Sequence, residues 1–185
     1  PNAKHAVQTD AASQPKIVDA GTLVTGGLDF DGVSDTLFVS GNPVITANST
    51  GTYSTFSVQN TTTTASGYLF GNASPTDGSS LLSKADSTFI VSDAYHSKAY
   101  ISRSSGENLL SSVYNNNDVE MKVNGAGTTI DGVAYTFPAG TSDFRIGSRN
   151  PSNVFVGGTI SEVIVYNSDQ SDNRTALEAN IGEVY

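Results

Sequence analysis

The sequence predicts an all-β protein, a two-sheet antiparallel jelly-roll sandwich closed by one short C-terminal helix. Three observations carry that expectation. Ser, Thr, Gly and Asn fill the spaces between short apolar runs, which is the pattern of many strands joined by turns. Asn-Gly and Asp-Gly stand at strand ends in "KVNGAG" and "TIDGVAY", the strongest short-range hairpin signal. The one helical pattern comes last, in "SDNRTALEANIGEVY".

Taken in order, "PNAKHAVQTDAASQ" has no periodicity, so residues 1–14 are expected as an extended surface segment and 15–185 as the sandwich domain. The chain starts at Pro1 without an initiator methionine, which predicts a processed product or a fragment. A proline opening the domain suits an edge position. Alternating apolar runs then predict strands at 16–18, 20–24, 27–30, 37–39, 54–59, 67–70, 81–84, 88–92, 98–102, 109–114, 118–123, 133–137, 144–147 and 158–166. In "TISEVIVYN" Ile164 and Tyr166 share a parity with Ile160 while Val163 and Val165 break it, so part of this strand should be buried on both sides.

For the helix, Ser171 is the expected N-cap and Asp172 lies in the first turn. Leu177, Ile181 and Val184 or Tyr185 form its apolar stripe, and Gly182 its stop. So short a helix needs a surface to pack on, and the edge or end of the sandwich is the expected one. The expected core is Leu28, Phe30, Leu37, Phe56, Val58, Phe89, Val91, Val123, Phe144, Ile146, Ile160, Ile164 and Leu177.

Composition narrows the function classes. At 185 residues the chain is long enough for one well-cored domain. It has no cysteine, so a disulfide framework and a thiolate metal site are excluded. Eighteen acidic residues against nine basic ones give a net charge of −9. That balance argues against nucleic acid and anionic membrane surfaces as partners, and no apolar run is long enough to cross a bilayer. Four Asn-x-Ser/Thr sequons, at Asn48, Asn60, Asn72 and Asn173, are what chance gives in so Asn- and Thr-rich a chain.

Catalysis is not expected. The only histidines are His5, in the N-terminal segment, and His96, in the polar stretch "SDAYHSKAY", and no Gly-x-Ser-x-Gly elbow is present. A glycosidase needs two carboxylates close together. Glu120 stands alone in "DVEMKV", Glu162 sits among valines and isoleucines in the last strand, and "DFDG" reads as a turn.

Carbohydrate recognition would need an exposed ring flanked by hydrogen-bonding side chains. Without tryptophan, the candidates are Tyr95, beside Asp93 and His96, and Tyr114, ahead of Asn116 in the amide-rich run "NNND". Tyr53, Tyr68, Tyr100 and Tyr166 lie inside strand patterns and read as core or sheet-face residues.

Three stretches then carry a family likeness. "FDGVSD" (30–35), "DVEMKVNGA" (118–126) and "DFRIGSRNPSNVFVGGTISEVIVYN" (143–167), in this order, resemble the opening, the mid-domain strand and the closing signature of laminin-G-like domains of the concanavalin A-like lectin/glucanase superfamily. The likeness runs from about Gln14 to the end, in a style similar to modules of bacteriophage tail and surface proteins and of secreted bacterial proteins. In such relatives a longer segment precedes the domain.

The resemblance implies a sandwich whose loops after Ser92 and over 148–153 meet at one rim. Asp93, Tyr95, Arg149 and Asn153 would there form a sugar site. It also implies a rim calcium held by Asp93 with Asn150 or Asn153, against the plainer reading of these residues as turn formers. Asp29, Asp31 and Asp35 are a second cation candidate, again with Asx-turn chemistry as the plainer account. The expected function is a non-catalytic carbohydrate-binding or adhesion module on a virion or extracellular surface. It would bind a host glycan or cell-surface polysaccharide, with a homo-oligomer as a further expectation. The alternative is a structural domain, a capsid decoration or tail-fibre component, that binds other virion proteins.

Overall fold

A computed structural model describes residues 5–39, 52–61, 67–72, 80–83, 88–92, 97–103, 105–115, 118–130, 143–149 and 154–185. Its strands in chain order are β1 (Val18–Asp19), β2 (Thr22–Leu23), β3 (Leu28–Asp31), β4 (Leu37–Val39), β5 (Tyr53–Thr61), β6 (Gly67–Asn72), β7 (Ser80–Ser83) and β8 (Thr88–Ser92). They continue as β9 (Ser97–Ser102), β10 (Asn108–Asn115), β11 (Asp118–Val123), β12 (Ala126–Ile130), β13 (Phe144–Ile146), β14 (Ser148–Arg149), β15 (Val154–Phe155) and β16 (Gly157–Tyr166). The helix α1 (Arg174–Gly182) follows a 3-10 turn at Ser171–Asn173.

Two six-stranded antiparallel sheets form the sandwich. The first has the order β12-β11-β10-β5-β16-β3 and the second β4-β13-β6-β7-β8-β9. Alternation decides which side chains meet between them. Phe30, Tyr53, Leu110, Tyr114, Val119, Met121 and Ile160 from the first sheet pack with Val39, Leu69, Phe70 and Phe144 from the second. Of the expected core, Phe89 and Val91 have no described side chain; Leu28, Leu37 and Ile146 pack at its margin.

The Asn124-Gly125 signal forms the expected hairpin. Both residues have positive φ, 51° and 79°, as a type I′ turn requires, and Val123 pairs with Ala126. The strand it starts, β12, is not read from "AGTTI", which has little apolar character; the turn sets its register. The strand expected at 133–137 lies outside the described residues.

In β16 the parity expectation is corrected. A bulge between Ile160 and Glu162 inserts one residue and flips the faces beyond it. Val163 and Val165 therefore join Ile160 against the inter-sheet core, while Ile164 and Tyr166 point outward. The strand is buried on both sides, as expected, but with the opposite partition.

That outward face explains the helix. Ile181 and Leu177 pack on Phe56, Val58, Ile164, Tyr166 and Leu109, a second apolar cluster on the outer side of the first sheet. Phe56 and Tyr166 meet edge to face at 6.1 Å. So α1 covers a sheet face rather than an edge or end. Ser171 is not the cap: Asp169 Oδ1 accepts from its backbone N–H at 2.8 Å and from its hydroxyl. Val184 and Tyr185 are exposed and fall off the stripe.

Over its described residues, 5–14, the N-terminal segment is anchored to the sandwich. Val7 and Phe38 exchange backbone hydrogen bonds, so the segment pairs with edge strand β4. Lys16 does the same with Asp29 on edge strand β3. Both edges are thereby capped, which blunts their tendency to pair with other chains.

Candidate functional site

The strands that flank the anticipated rim are described; the loops that would form it lie outside the described residues. Ser92 pairs with Ser80, and Ser80 with Gly71, so β8 runs into residues 93–96 level with the Gly71–Asn72 end of β6. β13 runs the other way, from Phe144 opposite Asn72 to Ile146 opposite Phe70, and Gly147 N–H then donates to Leu69 O. The β14–β15 hairpin that brackets 150–153 thus starts at the Gly67 end, where Val156 packs on Gly67. The length of β6 separates the two, about 16 Å at ~3.3 Å per residue. Asp93, Tyr95, His96, Asn116, Asn150 and Asn153 lie outside the described residues, and Arg149 is placed by its backbone alone.

Tyr114 is corrected as a sugar-stacking candidate. Its ring is 3 % exposed and stacks on Tyr53 with centroids 3.9 Å apart. It has the inward parity of Leu110 and Ser112, so it fills the core and offers no face to a sugar.

The aspartates of "DFDGVSD" are used by the backbone. Asp31 Oδ1 accepts from the N–H groups of Val33, Ser34 and Asp35, and its Oδ2 from the Ser34 hydroxyl. Asp35 Oδ2 accepts from Asp31 N–H. These bonds fold the corner that carries the chain from β3 to β4, in the Asx-turn manner. Among the described residues, no group of three or more His, Cys, Asp and Glu could hold a metal.

Partial burial opposes ionisation of Asp31, but the hydrogen bonds to its carboxylate outweigh it and lower the pKa from 3.8 to about 2. A depressed carboxylate contributes stability above its unfolded pKa and loses it as pH falls from about 4 towards 2. Burial shifts the neighbouring Asp35 upward, which opposes part of this. Asp31→Ala should destabilise by about 1 kcal/mol at pH 7. Urea titrations across pH should show that difference shrinking below pH 4; a constant difference would mean that the carboxylate charge is not what matters.

The strand glutamates also have structural places. Glu120 faces the helix, 3.2 Å from Arg174 and 3.2 Å from Lys122. Arg174 itself, 1 % exposed, donates to the Ser111 carbonyl and hydroxyl, to Glu178 and to the Glu120 carbonyl. Its burial has no sequence signal, because its strand partners, Ser111 and Glu120, lie more than fifty residues upstream, and only Glu178 is local. Glu162 follows the bulge on the same outer face, opposite Val58.

Where the C-terminal residues meet that face, a groove of ≈ 330 Å³ opens. Val58, Leu109 and Ile181 form its apolar floor, and Glu107, Asn124 and Tyr185 its rim. Asn124 is committed to the hairpin, accepting from Leu109 N–H at 2.8 Å.

No protein-family model matches the sequence, and no curated protein matches it either. Solved structures do match in fold. A native heptameric SAP-like pentraxin from Limulus polyphemus superposes with a TM-score of 0.59 at 15 % identity, over 80 % of this chain and 78 % of that one. Trypanosoma rangeli sialidase in complex with sialic acid gives 0.61 at 15 % identity over 86 % of this chain, which spans only 28 % of the sialidase. HCR/D-Sa-GBL1/C gives 0.58 at 11 % identity, over 79 % of this chain and 40 % of that one. The chain has the jelly-roll sandwich fold of these neighbours.

Proposed function

We propose that the chain is a non-catalytic, laminin-G-like binding module that contacts a host glycan or cell-surface polysaccharide at a virion or extracellular surface. The observation that carries the reading is the placement of its strand glutamates. On this fold a hydrolase would aim paired carboxylates into a cleft. Here Glu120 is tied to Arg174 and Lys122 under the helix, and Glu162 lies on the same outer face, opposite Val58. The fold likeness to a pentraxin and to a portion of a sialidase bound to sialic acid favours a sugar as the ligand. An oligomer belongs to the same reading, since the pentraxin is heptameric.

Of the anticipated rim residues, those assigned to the glycan are in the 93–96 connection: Asp93, Tyr95 and His96. Sandwich-end loops vary without disturbing the core, which is why ligands are met there. A glycan array with and without calcium tests this. Saturable binding to one glycan class is expected, weakened about threefold to tenfold by Tyr95→Ala through loss of ring stacking. Binding unchanged by that substitution would move the site elsewhere.

A second reading, a structural domain that docks on other proteins, is favoured by one feature. Ile17, Val18 and Leu23 at the β1–β2 hairpin are 59 %, 50 % and 68 % exposed, three large apolar side chains close together in the chain. No binding anywhere on the array would favour this reading.

A further inference from the structure

The groove beside the end of α1 combines an apolar floor with acids that form no salt bridge among the described residues. Val58, Leu109 and Ile181 supply the floor, and the half-exposed Tyr185 ring supplies one wall. Glu107 lies on the rim. Glu162 stands opposite Val58 on the same face, and burial and then the Glu162 and Glu107 carboxylates push the Tyr185 phenol up. No lysine, arginine or histidine lines the groove. The basic side chains described on this face are committed elsewhere, Lys122 and Arg174 to Glu120 and Arg174 also to Glu178.

We propose that this groove receives an arginine or lysine side chain from a partner protein. The alkyl stem would lie on Val58, Leu109, Ile181 and the Tyr185 ring, and the cationic head would meet Glu107 and Glu162. Long basic side chains are suited to such a site, since they bury a stem while keeping a charged tip at the rim. The tyrosine face adds a cation–π surface. The volume is near the low end of ligand pockets, about 300–1,000 Å³, which fits one side chain better than an oligosaccharide. The inference does not rest on glycan binding; this site lies on the outer sheet face and the 93–96 connection on the second sheet.

The test is an NMR titration of the ¹⁵N-labelled protein with acetyl-Gly-Arg-Gly-amide, alongside the norleucine peptide and glucosamine. Saturable shifts are expected, centred on Glu107, Leu109, Asn124, Glu162 and residues 181–185, with millimolar affinity. E107Q/E162Q should weaken the arginine peptide about threefold to tenfold, as loss of two exposed charge pairs implies. Its thermal midpoint should match that of the parent. Three results would overturn the proposal: no saturable shift in the groove, equal binding of the norleucine peptide, or tighter binding of glucosamine at these residues.

Discussion

Arg174→Met should lower the unfolding free energy by about 3 kcal/mol, from the general cost of breaking a buried ion pair. Arg174 is 1 % exposed and ties the first turn of α1 to β10 and β11 through Ser111, Glu120 and Glu178. Methionine fills a similar volume, but it leaves Glu178, 14 % exposed in its side chain, without a counter-charge and Ser111 O without its donor. Against a total stability of about 5–15 kcal/mol this is large. Arg174→Met/Glu178→Met should recover most of the loss, since both charges then go. Urea unfolding of the single and double variants decides it. If the single variant cost less than about 1 kcal/mol, the cluster would not be what docks the helix.

Gly147→Ala should cost about 2–5 kcal/mol, the sum of left-handed backbone strain and core overpacking. Gly147 has φ +88°, and a Cβ there would stand 2.3 Å from a ring carbon of Phe30, itself 2 % exposed. The ring cannot yield without displacing the core around it. Gly125→Ala separates the two causes. It has φ +79° but nothing within 4 Å of the added carbon, so strain alone should cost about 1–2 kcal/mol. Equal losses at the two positions would show that Phe30 is not the constraint.

These two residues mark where sequence reading succeeds and where it stops. The Ile-Gly of "FRIGS" is visible as a motif, yet its reason, contact with Phe30 across the chain, is not. β4, β8 and β11 have the bounds that alternation predicts, and the Asn124-Gly125 turn is local chemistry with a local signature. The bulge after Ile160 escapes a parity argument because one inserted residue reverses every face beyond it. Arg174 escapes because an arginine in "NRTALEANI" looks like a solvated helix residue until Ser111 and Glu120 are brought under it. The loops of the expected sugar rim lie outside the described residues, and which loops share an end of the sandwich depends on the pairing of β13 with β6, which is non-local.

The central claim is a fold that binds a glycan without turning it over. Its most direct measurement is mass spectrometry of an array-selected glycan held overnight with an equimolar amount of the protein, beside its binding isotherm. The account predicts a saturable isotherm and a glycan of unchanged mass. Reproducible cleavage, abolished by Glu120→Gln or Glu162→Gln, would contradict it and make one of those carboxylates catalytic.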